Sequence, residues 1–149
     1  MLDVACGTGR HSRYLAGLGY RVTAVDINVS RIELQTSEQQ LPASIRSMAA
    51  DLERGDWPFE PDNFDGVVVV NYLHRPHFRL LASALTPGGV LLFDTFAAGN
   101  ERFGRPRNPD YLLRPGELLR EFGAGLEVVA YEHGRLGDSV RQRLCAVRR

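Results

Sequence analysis

The chain has 149 residues, 44% hydrophobic and 24% charged, a length and balance that fit one folded domain with a real core. Its 18 basic and 18 acidic residues cancel, so charge gives no reason to expect nucleic acid or a membrane surface as partner. All 18 bases are arginine, which excludes a side-chain Schiff base, a phosphate-loop lysine and a Tyr-Lys reductase pair.

Residues 2–5, LDVA, form a short apolar strand. Residues 10–18 read as a helix with Tyr14, Leu15 and Leu18 on one face, ended by Gly19 in the left-handed position that helix ends favour. YRVTAVD (20–26) is a β-branched strand ending on an acid. A helix then starts near Ser30, where Ser30 and Glu33 have capping-box spacing. SIRSMAAD (44–51) is a weaker strand ending on another acid, and EPDNFD (60–65) is a turn. GVVVVN (66–71) is apolar on both faces and therefore central. Residues 77–85 read as a helix closed by Thr86-Pro87-Gly88-Gly89, and GVLLFDTFA (89–97) is a buried strand. A charged loop over 98–116 leads to a short helix over 116–123. LEVVAYEH (126–133) and SVRQRLCAV (139–147) flank a turn short enough to force an antiparallel hairpin.

Five strand-then-helix units followed by a hairpin predict an α/β fold of three layers, with a mostly parallel, Rossmann-like sheet and one reversed strand near an edge. Ligands in such sheets bind at the carboxyl ends of the strands. No apolar run approaches the ~20 residues of a membrane span, and the start lacks a signal-peptide pattern. Cys6 and Cys145 read as reduced, packed cysteines of a cytoplasmic protein. The arginine-only, Ala- and Gly-rich usage suggests a GC-rich bacterial genome. No metal-ligand spacing is present among the histidines and cysteines.

The chemistry-bearing residues sit at strand ends. Gly7-Thr8-Gly9 follows the first strand and opens a helix, but Ser12 stands where a dinucleotide fingerprint has its third glycine. Asp26 closes the second strand, where an acid accepts from ribose hydroxyls or favours a helix start. Asp51 with Leu52 suits either an adenine site or a solvated loop. Asn71 and Tyr72 end the central strand.

LDVACGTG resembles motif I of the class I S-adenosylmethionine-dependent methyltransferases. The likeness continues through AVDIN, AADLERGDWPF, NFDGVVVVNYL and LTPGGVLLFDTF and includes the final hairpin. NYLHRP and GNERFGRPRNPDYLLRPGELL are similar to a bacterial subgroup of small methyltransferases related to the tellurite-resistance type. The resemblance implies S-adenosylmethionine as cofactor. Asp3 would engage its methionine amino group, and Gly7 and Gly9, beside Ala5, would let the backbone approach. Asp26 would hold the ribose, with Ile27 next to it, and Asp51 and Leu52 would bind adenine. Asn71 and Tyr72 would flank the methionine end and face the methyl acceptor.

Methyl transfer from a sulfonium expels a neutral group, so no acid is needed; the nucleophile must be held about 3–3.5 Å from the methyl carbon. His74, at the rim, is the candidate base if one is needed, or a surface histidine at a helix start. His11 either orients the cofactor or is simply exposed. Arg102, Arg105 and Arg107 either hold an anionic acceptor or decorate a solvated loop. Trp57-Pro58-Phe59 reads as an aromatic wall near adenine or as ordinary burial. Balanced charge favours a small-molecule acceptor over nucleic acid.

Methyltransferases of this class usually carry helices before motif I, which here follows directly on Met1. The expectation is therefore apolar surface exposed on one face of the first strand, from a shortened start or covered by a homodimer. Two rivals remain: a non-catalytic cofactor-binding module acting through a partner, and a nicotinamide-dependent reductase.

Overall fold

The computed structural model describes residues 1–34 and 41–149. It consists of two compact units, Met1–Phe59 and Glu60–Arg149. Among the described residues, no helix is long and apolar enough to cross a membrane.

The first unit holds β1 (Leu2–Val4), α1 (Arg10–Gly17), β2 (Val22–Asp26), α2 (Ser30–Leu34) and β3 (Ile45–Ala49). The three strands are parallel, with β2 in the middle. Val4 lies beside Val25 and Asp26 beside Ala49, so the three carboxyl ends are level. Gly19 ends α1 at φ +91°, as the sequence predicts.

Two expectations are corrected in this unit. On α1 the inward residues are Ser12 and Leu15, while Tyr14 and Leu18 are 68% and 59% exposed. Residues three apart on a helix share a face, and Ser12 sits on Leu15's face where an apolar count overlooks it. In β1, Leu2, Asp3 and Val4 are all buried, so the strand offers no exposed apolar face. Before α2, Asn28 Oδ1 accepts the Ser30 backbone N–H at 3.0 Å and the Ser30 hydroxyl at 2.6 Å. The side chain of Glu33, the expected box partner, lies outside the described residues.

After β3 the chain makes a turn rather than the third of the five expected strand-to-helix crossovers. Asp51 closes it: its Oδ1 accepts the N–H groups of Glu53 and Arg54, both at 3.1 Å, and its carbonyl accepts that of Gly55. An acid capping its own loop competes with continuing a helix.

The second unit holds β4 (Phe64–Val70), α3 (Phe78–Ser83), β5 (Leu85–Phe96), α4 (Glu117–Phe122), β6 (Glu127–Leu136) and β7 (Ser139–Val147). Strand β4 runs parallel to β5, β7 antiparallel to β5, and β6 antiparallel to β7, giving the one reversed strand. Val67, Val68 and Val69 are buried, as a central strand requires. Phe78, Phe93 and Phe122 form the aromatic core, with ring centroids 5.3–6.0 Å apart. Strand β6 pairs only through β7 within this unit, and Val129 is an extra residue bulged out between Val128 and Ala130.

The predicted helix over 77–85 is shorter, because Pro76 first sets a single tight turn over Arg75–His77. Thr86-Pro87-Gly88-Gly89 is a bulge in β5 rather than a helix end: pairing jumps from Phe64–Leu85 to Gly66–Val90.

The 98–116 loop is pinned by buried amides. Asn100 Oδ1 accepts the Val140 N–H at 3.1 Å, and its Nδ2 donates to the Pro106 carbonyl at 3.3 Å. Gln142 Nε2 donates to the Arg114 carbonyl at 2.7 Å, while its Oε1 accepts from the Leu118 N–H and the Tyr131 hydroxyl. Burying two amides is tolerable because they are well satisfied.

Candidate functional site

In the first unit, the level strand ends of β1, β2 and β3 bring together the residues expected to hold a cofactor. The chain leaves β1 through Ala5 at φ +53° and Gly7 at φ +56°, then enters α1 through Gly9 at φ +75°. A side-chain carbon built on Gly7 would meet nothing within 4 Å, so the backbone there faces open space. On Gly9 it would fall 2.3 Å from Ile32 of α2. One glycine therefore opens the site and the other permits helix packing behind it.

Asp26 anchors this loop. Its Oδ2 accepts the Gly7 N–H at 2.9 Å and its Oδ1 accepts the Asn28 N–H at 3.0 Å. The carboxylate keeps further acceptor capacity, because each oxygen carries more than one lone pair. Ile27 beside it is 69% exposed. Leu52 is buried and Asp51 half-buried, with one carboxylate oxygen spent on its own turn. Trp57 and Phe59 pack edge to face at 5.2 Å.

Asp3 is buried and accepts the Ser12 hydroxyl on Oδ2 at 2.5 Å. Burial raises its pKa above the ordinary 3.8, although the Ser12 bond and the nearby His11 pull the other way. Cys6, between these groups, has its thiol pushed up to about 12 by burial and then by the Asp3 and Asp26 charges, so it is no nucleophile.

An acid with a raised folded pKa weakens the fold as pH rises from its ordinary value through the raised one. Asp3→Asn removes that ionisation and keeps an acceptor for Ser12. The variant should melt at or above the wild-type temperature at pH 7, with the gap closing toward pH 4. Thermal unfolding across that range checks this; a variant clearly less stable at pH 7 would contradict it.

In the second unit, Asn71 follows β4 at φ +56°, a conformation asparagine tolerates, and its N–H donates to the Asp94 carbonyl at 2.9 Å. Its Oδ1 accepts from Arg141 Nη2 at 2.5 Å. Arg141 also donates through Nε to Asp94 at 2.6 Å and stacks 4.3 Å from the Phe96 ring centre. Tyr72 and His74 are half-buried, and the His74 ring lies 4.4 Å from that of buried His77. Arg102, Arg105 and Arg107 are exposed on the pinned loop.

Sequence reasoning missed four participants. Ser12 reads as a failed glycine, yet it holds Asp3. Arg141, seventy positions from Asn71, leaves no local signal. Neither does the pair of Arg75 with buried Glu117, made through Nε at 2.6 Å and Nη2 at 3.0 Å.

The model of the methyltransferase domain family matches residues 1–89. The chain belongs to that family. This methyltransferase domain is 34% identical over 108 residues to a ubiquinone biosynthesis O-methyltransferase of Xanthomonas campestris, covering 64% of the chain and 42% of that enzyme. With the enzyme of that name from Xanthomonas euvesicatoria it shares 34% over 174 aligned positions, 96% of the chain and 68% of the relative. The methyltransferase domain thus spans under half the length of the first of these relatives. A solved S-adenosylmethionine-dependent methyltransferase from Methanosarcina mazei superposes with TM-score 0.75 at 18% identity, over 99% of this chain and 91% of that one. The fold is therefore that of class I methyltransferases: α/β, mostly parallel, ending in an antiparallel hairpin.

Proposed function

We propose that this methyltransferase domain binds S-adenosylmethionine and transfers its methyl group to a small-molecule acceptor. The observation that carries this reading is the Asp26 carboxylate tied to Gly7, where a side-chain carbon would meet nothing within 4 Å. These residues fit the cofactor: Asp26 offers acceptors to two ribose hydroxyls, Gly7 leaves room, and exposed Ile27 offers an apolar surface. Asp3 with Ser12 is assigned to the methionine amino group, Ala5 and Gly9 to the loop backbone, and Asp51 with Leu52 to adenine.

Bound S-adenosylmethionine supplies a methyl group on a sulfonium, whose departure as a neutral thioether requires no acid. The protein's task is orientation, which recovers about 7–11 kcal/mol of barrier in well-positioned reactants. Asn71 and Tyr72 are assigned to the methionine end and the acceptor. The relatives' name supports a hydroxyl oxygen as acceptor atom, and His74 would then take its proton. NYLHRP and the 99–119 stretch support a finer place among small bacterial methyltransferases of the tellurite-resistance type.

Calorimetric titration with S-adenosylhomocysteine tests the reading, with NADH as the control ligand. Asp26→Ala should weaken S-adenosylhomocysteine about tenfold to a hundredfold, the scale of losing hydrogen bonds to a charged acceptor. Binding of NADH in place of S-adenosylhomocysteine by the wild type would replace this reading with the reductase.

A further inference from the structure

The Asn71 carboxamide cannot turn either way. Its neighbour Arg141 has donors only, so the group facing Arg141 Nη2 at 2.5 Å must be the amide oxygen. Arg141 itself is immobilised. Its side chain is 11% exposed, its Nε is bound to Asp94 at 2.6 Å, and its plane stacks on Phe96. Asp94 also fixes the Asn71 backbone through its carbonyl. Asn71 is exposed, so with its oxygen taken, the amide Nδ2 hydrogens are what it offers to a ligand.

We infer that Arg141 is a positioning residue that turns Asn71 into a fixed N–H donor for a ligand carboxylate. The inference rests on the proposed function. That carboxylate belongs either to the methionine part of the cofactor or to the methyl acceptor. Asn71→Asp is the sharp probe: it keeps the oxygen for Arg141 and suits a positive φ, but replaces the donor with a negative charge.

The experiment is calorimetry on wild type, Asn71→Asp, Arg141→Gln and Arg141→Lys with three probes. These are S-adenosylhomocysteine, 5′-methylthioadenosine (which lacks the amino-acid carboxylate), and benzoate added to the S-adenosylhomocysteine complex. If the cofactor supplies the carboxylate, Asn71→Asp and Arg141→Gln weaken S-adenosylhomocysteine tenfold or more and leave methylthioadenosine within threefold. If the acceptor supplies it, only benzoate binding falls. Arg141→Lys, which has donors only where glutamine also offers an acceptor, should recover part of either loss. Equal losses for S-adenosylhomocysteine and methylthioadenosine would make Arg141 merely structural, and no change with any probe would overturn the inference while leaving the proposed function standing. A wild type that binds neither nucleoside removes both. Thermal unfolding of each variant separates lost binding from lost folding.

Discussion

Glu117→Gln should lower the unfolding free energy by about 3 kcal/mol, the low end of the ~3–5 kcal/mol seen when one member of a buried ion pair is removed. Glu117 is buried, whereas the Arg75 side chain is 31% exposed and can recover some hydration, which sets the lower figure. The loss is larger than an ordinary pair because Glu117 Oε2 also accepts the Arg114 N–H at 2.6 Å. Arg75 in turn donates to the carbonyls of Asp110 and Leu112. Urea unfolding of Glu117→Gln, Arg75→Met and the double variant gives the coupling directly. The double variant should be less damaged than the two single losses summed. Acid should mimic the substitution. Burial alone would raise the Glu117 pKa, but the Arg75 bond and the Arg114 N–H outweigh it and hold it below the usual 4.5. The pair's contribution is therefore complete above about pH 4.5 and fades as pH falls through the lower folded value. A wild type and a Glu117→Gln variant with parallel stability curves down to pH 3 would contradict this.

Gly9→Val should cost about 2–5 kcal/mol, from ~1–3 for overpacking and ~1–2 for the left-handed backbone. The added carbon would fall 2.3 Å from Ile32 Cδ1 and Cγ1, at φ +75°. Gly9→Ala with Ile32→Ala should recover the steric part and leave the backbone part. Gly7→Ala supplies the contrast. Its φ is +56° and nothing stands within 4 Å, so it should cost only about 1–2 kcal/mol of stability. Its methyl group would nevertheless occupy the proposed ligand space, so S-adenosylhomocysteine binding should suffer more than folding. Equal stability losses at the two glycines would show that Gly9 does not limit helix packing.

The parts of the fold legible in the sequence are those written in local chemistry. VTAVD and GVVVV are β-branched runs with few other uses, and the short turn GRLGD leaves a hairpin no alternative. Asp26 could be singled out because a strand end fixes where its side chain sits. The helix face is not legible in this way, because Tyr14 and Leu18 satisfy an apolar count, whereas Ser12 is buried with its bond to Asp3. Asp51 stopped the third crossover by capping its own turn, a choice between local bonds that composition does not reveal. The Arg75–Glu117 and Arg141–Asn71 contacts join positions 42 and 70 apart, and only the folded chain brings them together.

The bulge at Val129 bears on how the protein behaves in a crowded solution. A ten-residue outer strand would ordinarily be a template for another chain, because its outward N–H and C=O groups form a straight row. The extra residue, 63% exposed, breaks that row near one end, and the charges of Glu132 and Arg135 stand along the rest. Growth of fibres from this margin is thereby disfavoured, and the free border of the sheet acts as a terminus.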